Sequence, residues 1–292
     1  MKNNWIRKSA FALRDALWPV MDEASANRLI ADKIQRGKPM MVARFGAVEI
    51  KGVLYGTLPP PPINLIVKGY CERHMHNNAG FFPVDKPNVK QFARLMKESM
   101  KQLDILASWR PEEMLFARLL RGIPRMQIGS LSPIGKDYSY TRALKGKKVL
   151  VVHPYADTIE RQYHDNRKNL FDDKEFLPEF ASLLTVKAVQ TITGNTAGYN
   201  SWFEALEDME RQISTKYFDI ALLGCGAYGF PLAAYIKSLG KQAIHMGGQL
   251  QLLFGIKGKR WDGAWFYNKY WVRPSENERP QNLRNVEDGA YW

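Results

Sequence analysis

The sequence predicts an α/β fold: a mostly parallel sheet with helices on both faces. Three observations carry that prediction. In the second half of the chain, short apolar or β-branched runs alternate with segments of helical periodicity, the rhythm of strand–helix–strand crossovers. In the first half, "PMMVARF" reads as a buried strand that runs into a glycine turn and then a helical stretch. Further on, "DIALLGCGAYGFPLAAYIKSLG" sets Gly224, Gly226 and Gly229 between a strand and a helix. No linker, repeat or low-complexity segment divides the chain. One domain over residues 1–292 is therefore expected, with helices over 1–36, a soft boundary near Gly146 and an irregular tail over 262–292.

In "MKNNWIRKSAFALRDALWPVMD", Ile6, Leu13, Leu17 and Val20 recur at helical spacing beside Trp5, Phe11 and Trp18, while Lys2, Arg7, Lys8 and Arg14 add positive charge. Such a helix either packs on the body of the protein or lies on an anionic membrane. "ASANRLIADKIQRG" is a helix that Gly37 ends, "PMMVARF" a strand and "AVEIKGVLYG" a helix. "TLPPPPINLIVKGY", with Pro59 to Pro62, reads as an extended loop. "VKQFARLMKESMKQLD" is a helix, "ILAS" a strand, and "PEEMLFARLLRG" a helix opened by Pro111 and closed by Gly122. Strands "KKVLVVHP", "LLTVKAVQTI", "FDIALLG" and "QAIHMGG" then alternate with helices "DTIERQYHDNRKNLF", "SWFEALEDMERQI" and "PLAAYIKSLG".

Composition narrows the partners. The formal net charge of +13 favours an anionic partner: a phosphorylated small molecule, an anionic membrane or nucleic acid. No recognised nucleic-acid motif is present, so nucleic acid is not expected. Cys71 and Cys225 lie far apart and form no zinc spacing, which suits reduced thiols in a cytoplasmic protein. No run reaches the roughly 20 apolar residues of a membrane span, and Arg14 and Asp15 break any signal-peptide core.

The chemistry gathers at strand ends, where open α/β sheets bind their ligands. In "VARFGAVEIKGVLYG", Arg44 and Glu49 flank the turn at Gly46. An arginine there can grip phosphate through two N–H groups, with help from the helix N-terminus beyond it. Glu49 can bind a metal, accept a proton or hold a sugar hydroxyl; alternatively the two residues simply pair with each other. The glycines 224, 226 and 229 bring backbone N–H groups close to a phosphate. A dinucleotide site would also want an acidic residue about 20 positions on, but the end of that next strand carries His245. His153 and His245 end two strands and can donate a hydrogen bond or act as an acid. Tyr155, Arg161 and Gln162 follow His153, and Gly247, Gly248, Gln249, Lys257, Lys259 and Arg260 follow His245. His74 and His76 form an H-x-H without an obvious third ligand. Asp157 and Asp137 are further loop carboxylates.

At two of these segments the chain resembles bacterial glycosyltransferases of the GT-D fold, and more closely the GT-D-like proteins of polysaccharide and glycoconjugate biosynthesis. "VARFGAVE" is similar to the family's Arg-Phe-Gly followed by Asp-x-Glu, and "LLGCGAYGFPLAAYIKSLGKQAIHMGG" to its C-terminal segment. The two occur in the family's order. The resemblance implies a Rossmann-like fold that moves a sugar from a nucleotide sugar, typically a UDP-sugar with a divalent metal such as Mn²⁺ or Mg²⁺, to an acceptor; the positive charge suits a glycan or lipid-linked acceptor and peripheral contact at the inner membrane surface. Arg44 and Glu49 match the family motif's arginine and glutamate, and with the strand-end reading the expected catalytic residues are Glu49 and His245. Taken with the strand-end and glycine-turn readings, the expected nucleotide-sugar site is made by Arg44, Gly46, His153, Tyr155, Gly224, Gly226, Ala227, Tyr228, Gly248 and Gln249. Glu49 would be the metal ligand, but Ala47 stands where the family has aspartate, and alanine cannot ligate. Two other classes stay open: an NAD- or S-adenosylmethionine-dependent enzyme using the Gly224–Gly229 turn, and an inactive basic binding protein.

Overall fold

The computed structural model describes residues 12, 14–57, 63–132, 134–135, 138–280 and 289–292. Helix α1 (Glu23–Arg36) begins where Asp22 accepts the Ser25 N–H and ends at Gly37, whose φ of 67° suits glycine. Strand β1 (Met40–Ala43) leads into α2 (Ala47–Thr57), α3 (Ile63–Asn77) and α4 (Lys86–Met100). Strands β2 (Ile105–Ser108) and β3 (Arg125–Gln127) follow. The second half runs β4 (Lys148–His153), α5 (Ala156–Asn166), β5 (Ser182–Lys187), α6 (Trp202–Ser214), β6 (Ile220–Leu223), α7 (Gly229–Ser238), β7 (Gln242–His245) and α8 (Leu250–Leu253).

The seven strands form one parallel sheet in the order β3-β2-β1-β7-β6-β4-β5. The last strand thus inserts between the first and the sixth, and both halves of the chain share one sheet. Side chains alternate along each strand, so every strand but the short β3 feeds two cores. Met41, Ala43, Val152 and Leu223 pack under α2, α4, α6 and α7, whereas Met40, Val42, Val151 and Ile244 pack under α1, α5 and α8. Such double burial explains why the strands read as continuous apolar runs.

Two expectations need correction, and one strand has no counterpart in the sequence reading. The stretch read as an extended loop becomes helix α3 from Ile63 onward; Pro59 to Pro62 themselves lie outside the described residues. A proline run directly ahead of a helix is compatible with its start, because the first helical N–H groups need no intrahelical partner. "PEEMLFARLLRG" forms only a 3₁₀ turn over Pro111–Phe116. There the buried Glu113 carboxylate turns back to accept the Trp109 and Arg110 N–H groups, at 3.0 and 2.9 Å, and closes the turn locally. The three-residue β3 is too short to leave a periodic signal. Most of the amphipathic N-terminal helix (residues 1–11 and 13) lies outside the described residues. Its described end packs on the body: Arg14 is buried 3.9 Å from Glu113, and Arg125 lies over the Trp18 ring. Among the described residues no helix is long and apolar enough to cross a membrane.

Candidate functional site

The sheet topology creates two crevices at its carboxyl edge. From β4 the chain crosses outward to β5 through α5 on one face, while from β6 it crosses to β7 through α7 on the other. Likewise β1 leads away to β2 through one layer, and β7 leads to α8 in the other. Ligands of open α/β sheets bind where connections part in this way. A cavity of about 620 Å³ spans both crevices. The ladder pairs Val42–Ile244, Ile244–Leu222 and Leu222–Val151 set four residues on one row, and two positions on stand Arg44, Met246, Gly224 and His153, which all line the cavity.

Of the other residues expected from sequence, Gly46, Glu49, Tyr155, Gly226, Ala227, Tyr228, Gly248 and Gln249 join Arg44, His153 and Gly224 on the wall. Trp109 and Tyr291 line it too, and sequence reasoning misses both. His245 is the exception. It is buried behind the lining, with its ring against Gly229, where an added Cβ would overlap it. Gly229→Ala should therefore overpack this seam, which costs about 1–3 kcal/mol. The expected result is a lower melting temperature in a thermal scan, partly restored by adding His245→Ala.

Arg44 and Glu49 do not pair. Among the described residues neither forms an ion pair, and Arg44 Nε is buried without a hydrogen-bond partner. The guanidinium rests against Gly247, whose φ of 65° and missing side chain admit it, and lies 5.8 Å from the Trp109 ring. Trp109 is fixed in turn by its indole N–H, which donates to the Phe45 carbonyl at 2.6 Å. Buried His245 Nδ1 and Gln249 Oε1 also lack partners.

Four helix N-termini approach the cavity, and their occupancy differs. The Glu49 carboxylate folds back over Gly46 at the start of α2, in the space a Cβ would take. The start of α5 is capped by Glu278, buried, which accepts the Asp157 and Thr158 N–H groups at 2.9 and 3.3 Å. The Gly226–Tyr228 turn ahead of α7 and the Gly247–Gln249 turn ahead of α8 have no side-chain cap and no acidic residue. Among the described residues an incoming anion therefore finds two free helix starts, and the Arg44 guanidinium rests against the second of them at Gly247.

The imidazoles are neutral donors here. Burial pushes His153 down to about 3, and its Nδ1 accepts the Tyr155 N–H at 3.0 Å, so the proton resides on Nε2. Burial, aided by the Arg44 charge, pushes His245 down to about 3. Burial also raises the Tyr155 and Tyr228 phenols, whose hydroxyls reach the Tyr291 carbonyl at 3.3 Å and Thr191 Oγ1 at 2.8 Å.

The tail is irregular, yet its end builds the wall. The Tyr291 ring lies over Gly248, and its hydroxyl accepts from Arg260 at 2.6 Å. The Tyr291 carbonyl is held by Gln251 at 3.1 Å. Other sequence candidates fall elsewhere. Asp157 pairs with Lys187 at 3.0 Å, Arg161 donates to Ser275 at 2.8 Å, Gln162 is buried against the Phe254, Gly255 and Tyr270 carbonyls, and Asp137 lies outside the described residues. Among the described residues no three His, Cys, Asp or Glu side chains converge as a metal set, His74 and His76 included. Glu49 is the sole carboxylate on the described lining, and Ala47 beside it offers no ligand. The donors present do not fit a two-carboxylate Mn²⁺ or Mg²⁺ site.

The fold and cavity define a doubly wound α/β protein with an anion-receptive pocket at its switch points. No protein-family model matches the chain, and no curated protein matches it in sequence. Among solved structures it is similar to a selenomethionine-substituted domain of unknown function 1792, at 13% identity and a TM-score of 0.43, over 92% of this chain and 96% of that one. A likeness that loose carries no functional weight.

Proposed function

We propose that this protein is a glycosyltransferase that takes a nucleotide sugar, UDP-linked, into the carboxyl-edge cavity and transfers the sugar to a glycan or lipid-linked acceptor. The observation that carries this reading is the unpaired Arg44 guanidinium against the uncapped Gly247–Gln249 turn, with the uncapped Gly226–Tyr228 turn and a single carboxylate on the same wall. The two sequence segments that resemble GT-D-like enzymes supply those elements. In this reading Arg44 forks onto the diphosphate, and the amides ahead of α7 donate to the same group. His153 offers its Nε2 proton as a neutral donor. These preorganised donors stabilise the negative charge that develops as the diphosphate leaves. Glu49 accepts the proton of the acceptor hydroxyl or orients the sugar. His245, buried behind the wall against Gly229, takes no direct part in this reading.

Thermal stability against a panel of nucleotides and nucleotide sugars tests this. A ligand at about 100 times its Kd stabilises the fold by about 2.7 kcal/mol, so the true donor should raise the melting temperature clearly. Because the carboxylates do not suit a two-ligand metal site, EDTA should leave that shift in place and Mn²⁺ should not be required. A shift with NAD or S-adenosylmethionine, and none with any nucleotide sugar, would replace this reading with a cofactor-dependent enzyme. Silence across the panel would favour a binding protein without catalysis.

A further inference from the structure

The loop over residues 257–273, "KGKRWDGAWFYNKYWVR", begins at the cavity and ends on the surface. Arg260 and Trp261 line the cavity, while Trp265, four residues on, is 82% exposed. No other large apolar side chain among the described residues is so exposed. Trp265 follows the turn at Gly263, with φ of 81°, and stands near Gly135 in the stretch that precedes half-exposed Tyr138. The loop carries Lys257, Lys259, Arg260, Lys269 and Arg273 against one carboxylate, Asp262, which pairs with Arg273 at 2.5 Å. Lys257 and Lys269 lie over the Tyr267 and Tyr270 rings at 5.6 and 5.1 Å.

We infer that this loop seats the cavity mouth on an anionic lipid bilayer, with Trp265 at the headgroup level. Tryptophan has an apolar body and one N–H, so the membrane–water interface suits it better than open water. Neighbouring lysines and arginines are drawn to anionic headgroups, each contributing a near-additive attraction within a Debye length. The charge of the loop favours an anionic surface, with five basic residues against one carboxylate around the exposed Trp265. Placing the mouth at the surface would give the pocket direct access to a lipid-linked molecule. The bilayer contact itself does not depend on the proposed transferase reading.

Flotation of the full chain, without nucleotide, on phosphatidylcholine vesicles with and without phosphatidylglycerol tests it. Binding is expected only to the mixed vesicles and should fall with added salt. Lys269→Ala should weaken it about five-fold, and Trp265→Ala at least as much, both at unchanged melting temperature. No binding to the mixed vesicles overturns the inference. So does binding that both variants leave intact, which would assign the contact to another basic segment. Loss of binding to single-stranded RNA in both variants, with vesicles ignored by the parent chain, would make the loop a nucleic-acid surface instead.

Discussion

Arg44→Ala is expected to weaken nucleotide-sugar binding by about 30-fold or more, since removing one partner of a desolvated charge contact costs about 2–5 kcal/mol. The same change should leave the unliganded fold nearly as stable as before. Arg44 Nε is already buried without a partner, and no carboxylate depends on the guanidinium, so its removal strands nothing. Only its contacts with Gly247 and the Trp109 ring are lost. A residue that costs the fold little to remove and binding much is one whose burial is justified by a ligand. Arg44→Lys separates charge from shape, because an ammonium keeps the attraction but cannot fork onto two oxygens. Its affinity should fall between parent and alanine variant. Calorimetry with the donor found in the thermal panel reads all three. Unchanged affinity in Arg44→Ala would remove Arg44 from the site while leaving the cavity itself in play.

Much of this wall is legible in the sequence because each element writes its own local signal. The alternation of apolar runs and helical periods points to the parallel sheet, and parallel sheets put their binding residues at strand ends, so Arg44, His153 and Gly224 can be picked out singly. Their meeting cannot. It depends on β7 inserting between β1 and β6, a pairing between residues about 200 positions apart that leaves no periodic trace. Trp109 carries a weak signal as the residue just after strand β2. Tyr291 and Glu278 carry none: one reaches the wall and the other caps α5 only because the tail returns across the carboxyl edge. His245 is legible as a strand-end histidine, but its side of the pleat is not. The ladder puts it one residue out of step with the Arg44–His153 row, and it points behind the wall.

Acid should unfold this protein through its two silent histidines. His153 and His245 stay neutral in the folded chain down to about pH 3, while in the unfolded chain they take up protons near the ordinary value of 6.5. The unfolded state therefore binds more protons between those limits. Stability is complete above pH 6.5 and falls as the pH drops through that window. At pH 5 each imidazole accounts for about 2 kcal/mol, so the pair costs about 4 kcal/mol relative to pH 7. Glu210 works in the opposite direction. Burial and the nearby Glu207 charge raise its carboxyl to about 7, so it takes up its proton in the folded state first. The group is only half-buried, and with solvent screening allowed for it returns about 1 kcal/mol over the same interval. The parent chain should thus lose about 3 kcal/mol between pH 7 and pH 5, and Glu210→Gln should lose about 4 kcal/mol. Replacing His153 with glutamine removes one titrating group from the balance, so that variant should lose only about 1 kcal/mol whatever its absolute stability. Urea titrations across that range measure each slope. A parent chain and a His153→Gln variant with the same slope would mean that His153 titrates in the folded state as it does in the unfolded one, and the neutral Nε2 donor assigned to it at the cavity would go with it.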